Sequence, residues 1–170
     1  SAIGQQVMAG TTGNVVGGWN FAVAPHTVFL NQIRYTVTGS ENPADIRNVK
    51  LFVNGLQVGP SLLSVAADGA ALFKILGDSA KLNTGSNSIQ VHADIAGSSG
   101  KSFRFQILDP NDITATDSFY GVSIHGQANP GTEVAITIGR VMIGRASDSP
   151  SGYVFPGTAG VTLAKFAIKN

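Results

Sequence analysis

Three carboxylates and an amide crowd the stretch Asp109-Pro110-Asn111-Asp112-Ile113-Thr114-Ala115-Thr116-Asp117. Asp109, Asn111, Asp112 and Asp117 are hard oxygen donors of the kind that hold Ca²⁺, yet the stretch lacks the glycine and the terminal glutamate of an EF-hand loop. Asp148, beside Ser149 and Pro150, would join them only if the fold brought the two loops together. Asp, Asn and Pro also make turns by capping their own backbone. That is the reading we favour, with calcium as the one cofactor these residues leave in play.

Other sources of chemistry are thinner. His26, His92 and His125 show neither H-x-x-x-H nor H-E-x-x-H spacing, so they read as solvent-facing or turn histidines. Gly121-Val122-Ser123-Ile124-His125 begins like a nucleophile elbow but lacks its second glycine, and its context is strand rather than a strand-to-helix turn. There is no cysteine, which removes disulfides, thiolate nucleophiles and Cys-ligated metals. With no paired-carboxylate motif either, the chain is not expected to be an enzyme.

Aromatic residues offer binding instead. Trp19, Tyr35, Tyr120 and Tyr153 are candidates for stacking on a sugar ring, whose C–H face packs on an aromatic face. Tyr35 alternates with apolar neighbours and belongs to a core. Trp19, after Gly17 and Gly18, reads first as a core plug or interface anchor, whereas Tyr153 sits among Ser151, Gly152 and Pro156 as an exposed ring. Trp19 and Tyr153 would be the contacts of a carbohydrate-binding module that engages surface glycans.

These residues must be positioned by strands. In 32–38 the apolar Ile33, Tyr35 and Val37 alternate with polar residues, and 88–95 does the same with Ile89, Val91, Ala93 and Ile95. Phe103, Phe105 and Ile107 repeat the period of two, which marks half-buried strands. Residues 133–143 read as one long strand with a bend at Gly139, Val141 and Ile143 following it. Asn54-Gly55 between 49–53 and 56–58 is a hairpin signal, because both residues tolerate the positive φ of a type I′ turn. Asp68-Gly69 is a second such signal, and the seven prolines are expected between strands. Helix is confined to single turns, at 42–46 with Asn42 as cap and at 77–82. About ten strands joined by turns predict an all-β, antiparallel β-sandwich, immunoglobulin-like or jelly-roll-like.

Composition agrees with that class. The 170 residues are 43% hydrophobic, enough for one core. Only 12% are charged, about half the usual share, and Gly, Ser, Thr and Asn fill the surface positions, as on exported proteins. We expect an extracellular or cell-surface location. A net charge of +1 with dispersed basic residues gives no footprint for nucleic acid. No apolar run approaches the ~18 residues that span a bilayer, so membrane insertion is not expected.

One hairpin bears a resemblance. Ile46-Arg47-Asn48-Val49-Lys50-Leu51-Phe52-Val53-Asn54-Gly55-Leu56-Gln57-Val58-Gly59 resembles the "n-V-x-L-y-v-d-G-x-x-v-g" hairpin of immunoglobulin-like repeats in prokaryotic cell-surface proteins. Asn83-Thr84-Gly85-Ser86-Asn87-Ser88-Ile89-Gln90-Val91-His92-Ala93-Asp94 is similar to the "G-x-n-x-i-x-v-x-a-D" strand that follows it there. The resemblance spans about residues 46–94. It implies an extracellular structural or adhesive module, often in tandem, and transfers no catalytic residue.

The chain also resembles itself. Val7-Met8-Ala9-Gly10-Thr11-Thr12-Gly13 and Val154-Phe155-Pro156-Gly157-Thr158-Ala159-Gly160 both spell V-x-x-G-T-x-G, and an apolar run follows each. Phe166-Ala167-Ile168 answers Phe21-Ala22-Val23, after a two-residue difference in spacing. Residues 1–170 read as one sandwich domain, with 154–170 as the start of a next repeat or a donated strand. Val161, Leu163, Phe166 and Ile168 in the late run, and Val15, Trp19 and Phe21 in the early one, are the candidate joining residues. Copies of the chain or neighbouring repeats are the expected partners in a filament, surface layer or tandem-repeat adhesin, associating by strand pairing and apolar edge contacts.

Overall fold

The computed structural model describes residues 5–138 and 142–169. They fall into two compact units, Ser1–Thr137 and Ile138–Asn170. The chain is all-β, with fourteen strands and two single turns of 3₁₀ helix among the described residues. Several strands are too short to announce themselves by alternation, which is why the sequence suggests about ten.

In the first unit a four-stranded antiparallel sheet runs in the order β2 (Asn14–Val23), β8 (Gly85–Ile95), β4 (Ile46–Val53), β5 (Leu56–Ser64). The larger sheet is built on β3 (Val28–Gly39), which β9 (Ser102–Gln106) meets at residues 36–39 and β10 (Ile113–Asp117) at 28–33. β6 (Ala70–Lys74) and β7 (Lys81–Leu82) also pair with β3. β12 (Val134–Thr137) pairs with β9, β11 (Ser123–His125) with β10, and β1 (Gln5–Met8) lies parallel to β12.

Alternation decides which faces meet. Ile89, Val91, Ala93 and Ile95 of β8 are buried, as are Phe103, Phe105 and Ile107 around β9, and one continuous core joins the inner faces of both sheets. In β3 the buried set is Val28, Leu30, Ile33, Tyr35 and Val37, a sequence that changes phase after Leu30. The register against β10 shifts at the same place, Ala115 opposite Leu30 and Thr114 opposite Gln32. Asn31 is the extra residue of a bulge, and its side-chain carbonyl accepts from the Thr116 hydroxyl at 2.8 Å. The bulge keeps both halves of β3 facing one core.

Turn chemistry is partly as expected. Asn54 (φ 48°) and Gly55 (φ 84°) join β4 to β5 with both residues left-handed. Asn42 accepts from the Ala44 amide at 3.1 Å and caps the turn Pro43–Asp45. The Asp68-Gly69 turn, however, joins no hairpin, because β5 pairs with β4 and β6 with β3. The turn residues fix the reversal; burial of Ala71 and Phe73 beside Tyr35 chooses the sheet. Pro60 lies inside β5 rather than between strands. β5 is an edge strand, where a missing N–H breaks no ladder bond.

The strand expected over 133–143 is not continuous: β12 ends at Thr137, and β13 (Met142–Arg145) belongs to the second unit. Gly139 and Val141 lie outside the described residues. β13 pairs antiparallel with β14 (Phe166–Lys169). Of the apolar run 161–168, only the last three residues are strand.

Aromatic rings join the sheets of the first unit. Trp19 on β2 stacks on Tyr35 of β3, centroids 4.8 Å apart, and Phe73 and Phe105 stand edge-on to Tyr35 at 6.4 and 5.9 Å. Burial pushes the Tyr35 hydroxyl well above its ordinary pKa, and the hydroxyl has no partner among the described residues. A buried hydroxyl without a partner costs stability. Tyr35→Phe is therefore expected to hold or raise stability by about 1 kcal/mol, while Phe105→Ala lowers it by about 3–5 kcal/mol. Urea unfolding followed by the fluorescence of Trp19 measures both.

Candidate functional site

Among the described residues no strand pairs with the outer edge of β2, which borders a cleft of the first unit. Gln5 covers the beginning of that edge by donating its side-chain amide to the Val15 carbonyl. From Gly18 to Val23 the edge lines a cleft of about 740 Å³, faced by residues 124–129, Gly131 and Thr132 and floored by Val28, Leu82, Ile113 and Ala115. No charged side chain lines it.

Asn129 positions the opposite wall. It exchanges both backbone hydrogen bonds with Ile107, at 2.8 and 2.7 Å. Its side-chain carbonyl accepts from the Trp19 indole at 3.2 Å and from the Gly131 amide at 2.9 Å. Gly131 is left-handed (φ 66°), and a Cβ there would run into the Phe105 carbonyl. Nothing in the local sequence marks this wall, since 120–130 has neither alternation nor burial; only the Asn-Pro-Gly of 129–131 signals a turn.

The carboxylates of 109–117 are engaged by the backbone. Asp109 accepts from the Asn111 amide at 2.8 Å, and Asp112 accepts from the Leu108 and Asp109 amides at 3.2 and 3.0 Å, forming a capping box around the turn Pro110–Asp112. Arg34 stands 3.9 Å from Asp112. Asp117, at the end of β10, serves another turn: it accepts from the Phe119 and Tyr120 amides at 2.8 and 2.9 Å, and His26 lies 3.3 Å from its other oxygen. Among the described residues no group of three or more His, Cys, Asp or Glu side chains is placed to hold a metal ion. Asp148 pairs with Lys165 at 2.8 Å in the second unit.

The three histidines lie apart, His26 beside Asp117, His92 half-buried on β8 against Phe52, and His125 on β11 at the cleft. Around His26 is a cluster that sequence reading missed: Phe119 stacks on it at 4.8 Å, Tyr120 meets it edge-on, and both rings are exposed. Of the two sugar candidates, Trp19 is buried against Tyr35 while Tyr153 is fully exposed in the second unit.

The candidate joining residues divide in the same way. Val15 and Phe21 are half-buried on β2. Val161, Leu163, Phe166 and Ile168 are all exposed, as are Ile143 and Phe155 of the same unit. The turns that precede the two runs have one geometry. Thr11 donates its amide and hydroxyl to the Met8 carbonyl at 3.3 and 2.6 Å, and Thr158 does the same to Phe155 at 3.3 and 2.9 Å. Gly10 and Gly157 have φ of 77° and 88°, Gly13 and Gly160 of 66° and 73°. The echo in sequence is therefore also an echo in turn geometry, although β2 starts directly after its turn and β14 only at Phe166.

Two outcomes follow for the first unit. Gly131→Ala is expected to lose about 2 kcal/mol through backbone strain and to loosen the Trp19–Asn129 bond, read as a red shift of indole emission. The Tyr120 amide above all, then Phe119 and His26, hold the Asp117 carboxyl below its ordinary value. Its contribution is complete above the usual Asp range and is lost as pH falls through the lowered value. In an acid titration the Phe119 and Tyr120 amide signals should move together, and Asp117→Asn should abolish that movement.

No protein-family model, no curated protein and no solved structure matches this chain, so its function is read from the strand edges, the cleft and the repeated turn.

Proposed function

We propose that the chain is a structural building block of an extracellular surface assembly, a filament, surface layer or tandem-repeat adhesin, and not an enzyme. The observation behind this reading is the repeated turn, the same hydrogen bonds and the same left-handed glycines before two related strands. A unit that is followed by the opening of another is the pattern of a tandem array.

Strand order supports an immunoglobulin-like β-sandwich for the first unit. β8 lies between β2 and β4, and β9 lies between β12 and β3, which are the B-E-D and G-F-C orders of that architecture. The exposed apolar side chains of the second unit suit burial against a neighbour. The low charge and neutral polar surface agree with an exported location. Carbohydrate binding is the alternative, and Tyr153 is the exposed ring it would use.

Sedimentation velocity over a wide concentration range, with negative-stain imaging of the same samples, tests the reading. Growth into linear particles is expected, and deletion of residues 161–170 should change the size distribution. A monomer at every concentration, or growth indifferent to that deletion, overturns it. Retained glycan binding that Tyr153→Ala abolishes would favour the alternative.

A further inference from the structure

We infer that residues 161–164 of one chain fill the cleft beside β2 in a second copy, pairing with the outer edge of β2 and packing Val161 and Leu163 on the cleft floor. This deepens the proposed function and rests on its reading that copies of the chain associate.

The acceptor is an opening between the two sheets. β2 ends the four-stranded sheet and β11 ends the larger one, and among the described residues neither has a strand on its outer side. Both border the same cleft, β2 through residues 18–23 and β11 through Ile124 and His125. The floor between them is core, made of Val28, Leu82, Ile113 and Ala115. Along β2, Trp19, Phe21 and Val23 pack on that core, while Gly18, Asn20 and Ala22 are exposed. A segment laid along this edge gains main-chain hydrogen bonds, and every second side chain reaches the floor. A charge among them would be left unpaired, since no charged side chain lines the cleft.

The cleft therefore demands an uncharged segment with free main-chain groups and apolar side chains at every second position. Residues 149–164 carry no charged side chain and belong to no strand. Within them only Val161-Thr162-Leu163-Ala164 alternates without glycine or proline, and its β-branched residues suit a strand. Val161 and Leu163 are 37% and 76% exposed. Phe166–Lys169, which follow, are already paired with β13. One chain thus leaves the β2 edge and this segment each without a strand partner, and a second copy satisfies the one with the other. Donor and acceptor are different surfaces, so the contact is head-to-tail, and such a contact grows a line when it does not close into a ring.

Paired residues point to the same face of a sheet. With Val161 and Leu163 inward, Thr162 falls on the exposed face beside Asn20 or Ala22. The chain has no cysteine, so introduced thiols report without background. Thr162, Asn20, Ala22 and Ser61 are all exposed, and Ser61 lies on β5, the other edge of the same sheet. Full chains bearing Thr162→Cys are mixed under mild oxidation with full chains bearing Asn20→Cys, Ala22→Cys or Ser61→Cys, one partner of each mixture carrying an affinity tag. Mixed disulfides are resolved by non-reducing electrophoresis, and far-ultraviolet circular dichroism checks that each variant is folded.

The expected result is at least tenfold more mixed disulfide with Asn20→Cys or Ala22→Cys than with Ser61→Cys, and a tenfold loss of it when Leu163→Lys is added to the donor chain. Leu163 is exposed in the single chain, so that substitution tests the cleft and not the fold. Equal yields at the two edges overturn the inference, as does a yield indifferent to Leu163→Lys. A chain bearing both Ala22→Cys and Thr162→Cys that closes on itself at every dilution also overturns it, because the occupant would then be its own segment. If linear growth in sedimentation persists without an edge preference, the strand assignment fails and the proposed function stands. Edge preference without linear growth keeps the pairing and sinks the proposed function. If neither is seen, both fail.

Discussion

The core between the two sheets of the first unit is centred on the stack of Trp19 on Tyr35. With no cysteine to cross-link the layers, apolar packing must hold them. Tyr35 sits at the middle of β3, the strand to which β6, β7, β9 and β10 are all paired. Phe73 and Phe105 close on its edges. Through its indole N–H, Trp19 also fixes Asn129, so the ring that joins the sheets positions one wall of the cleft.

This coupling explains why the fold was more legible than the site. Ile89 to Ile95 and Phe103 to Ile107 alternate cleanly because each strand has one face on the core, and periodicity reports that face directly. Asn31 defeats the same reasoning: a bulge inserts one residue and the pattern changes phase without the strand ending. At Asp68-Gly69 the chemistry of the turn was readable, but the partner of β6 was chosen by distant aromatic packing. The capping carboxylates Asp109 and Asp112 were readable as turn residues because their bonds are local.

The cleft was not readable at all. Its two walls are separated by more than a hundred residues of chain, as in the Trp19–Asn129 bond, and the wall of 124–132 is exposed and irregular. The late apolar run misled in a different way. Val161 and Leu163 look like a strand, yet among the described residues they have no strand partner, and β14 begins only at Phe166. Hydrophobic pattern states what a segment needs to bury; it does not supply the partner that buries it.

The two edges of the four-stranded sheet are unlike. β5 is interrupted by Gly59 and Pro60 and by a register shift against β4, features that discourage further pairing, whereas β2 is uninterrupted from Gly18 onward. A sheet with one blunt and one open side has a polarity. A strand added to this sheet therefore has one side open to it, that of β2, and the sheet can be extended in one direction only.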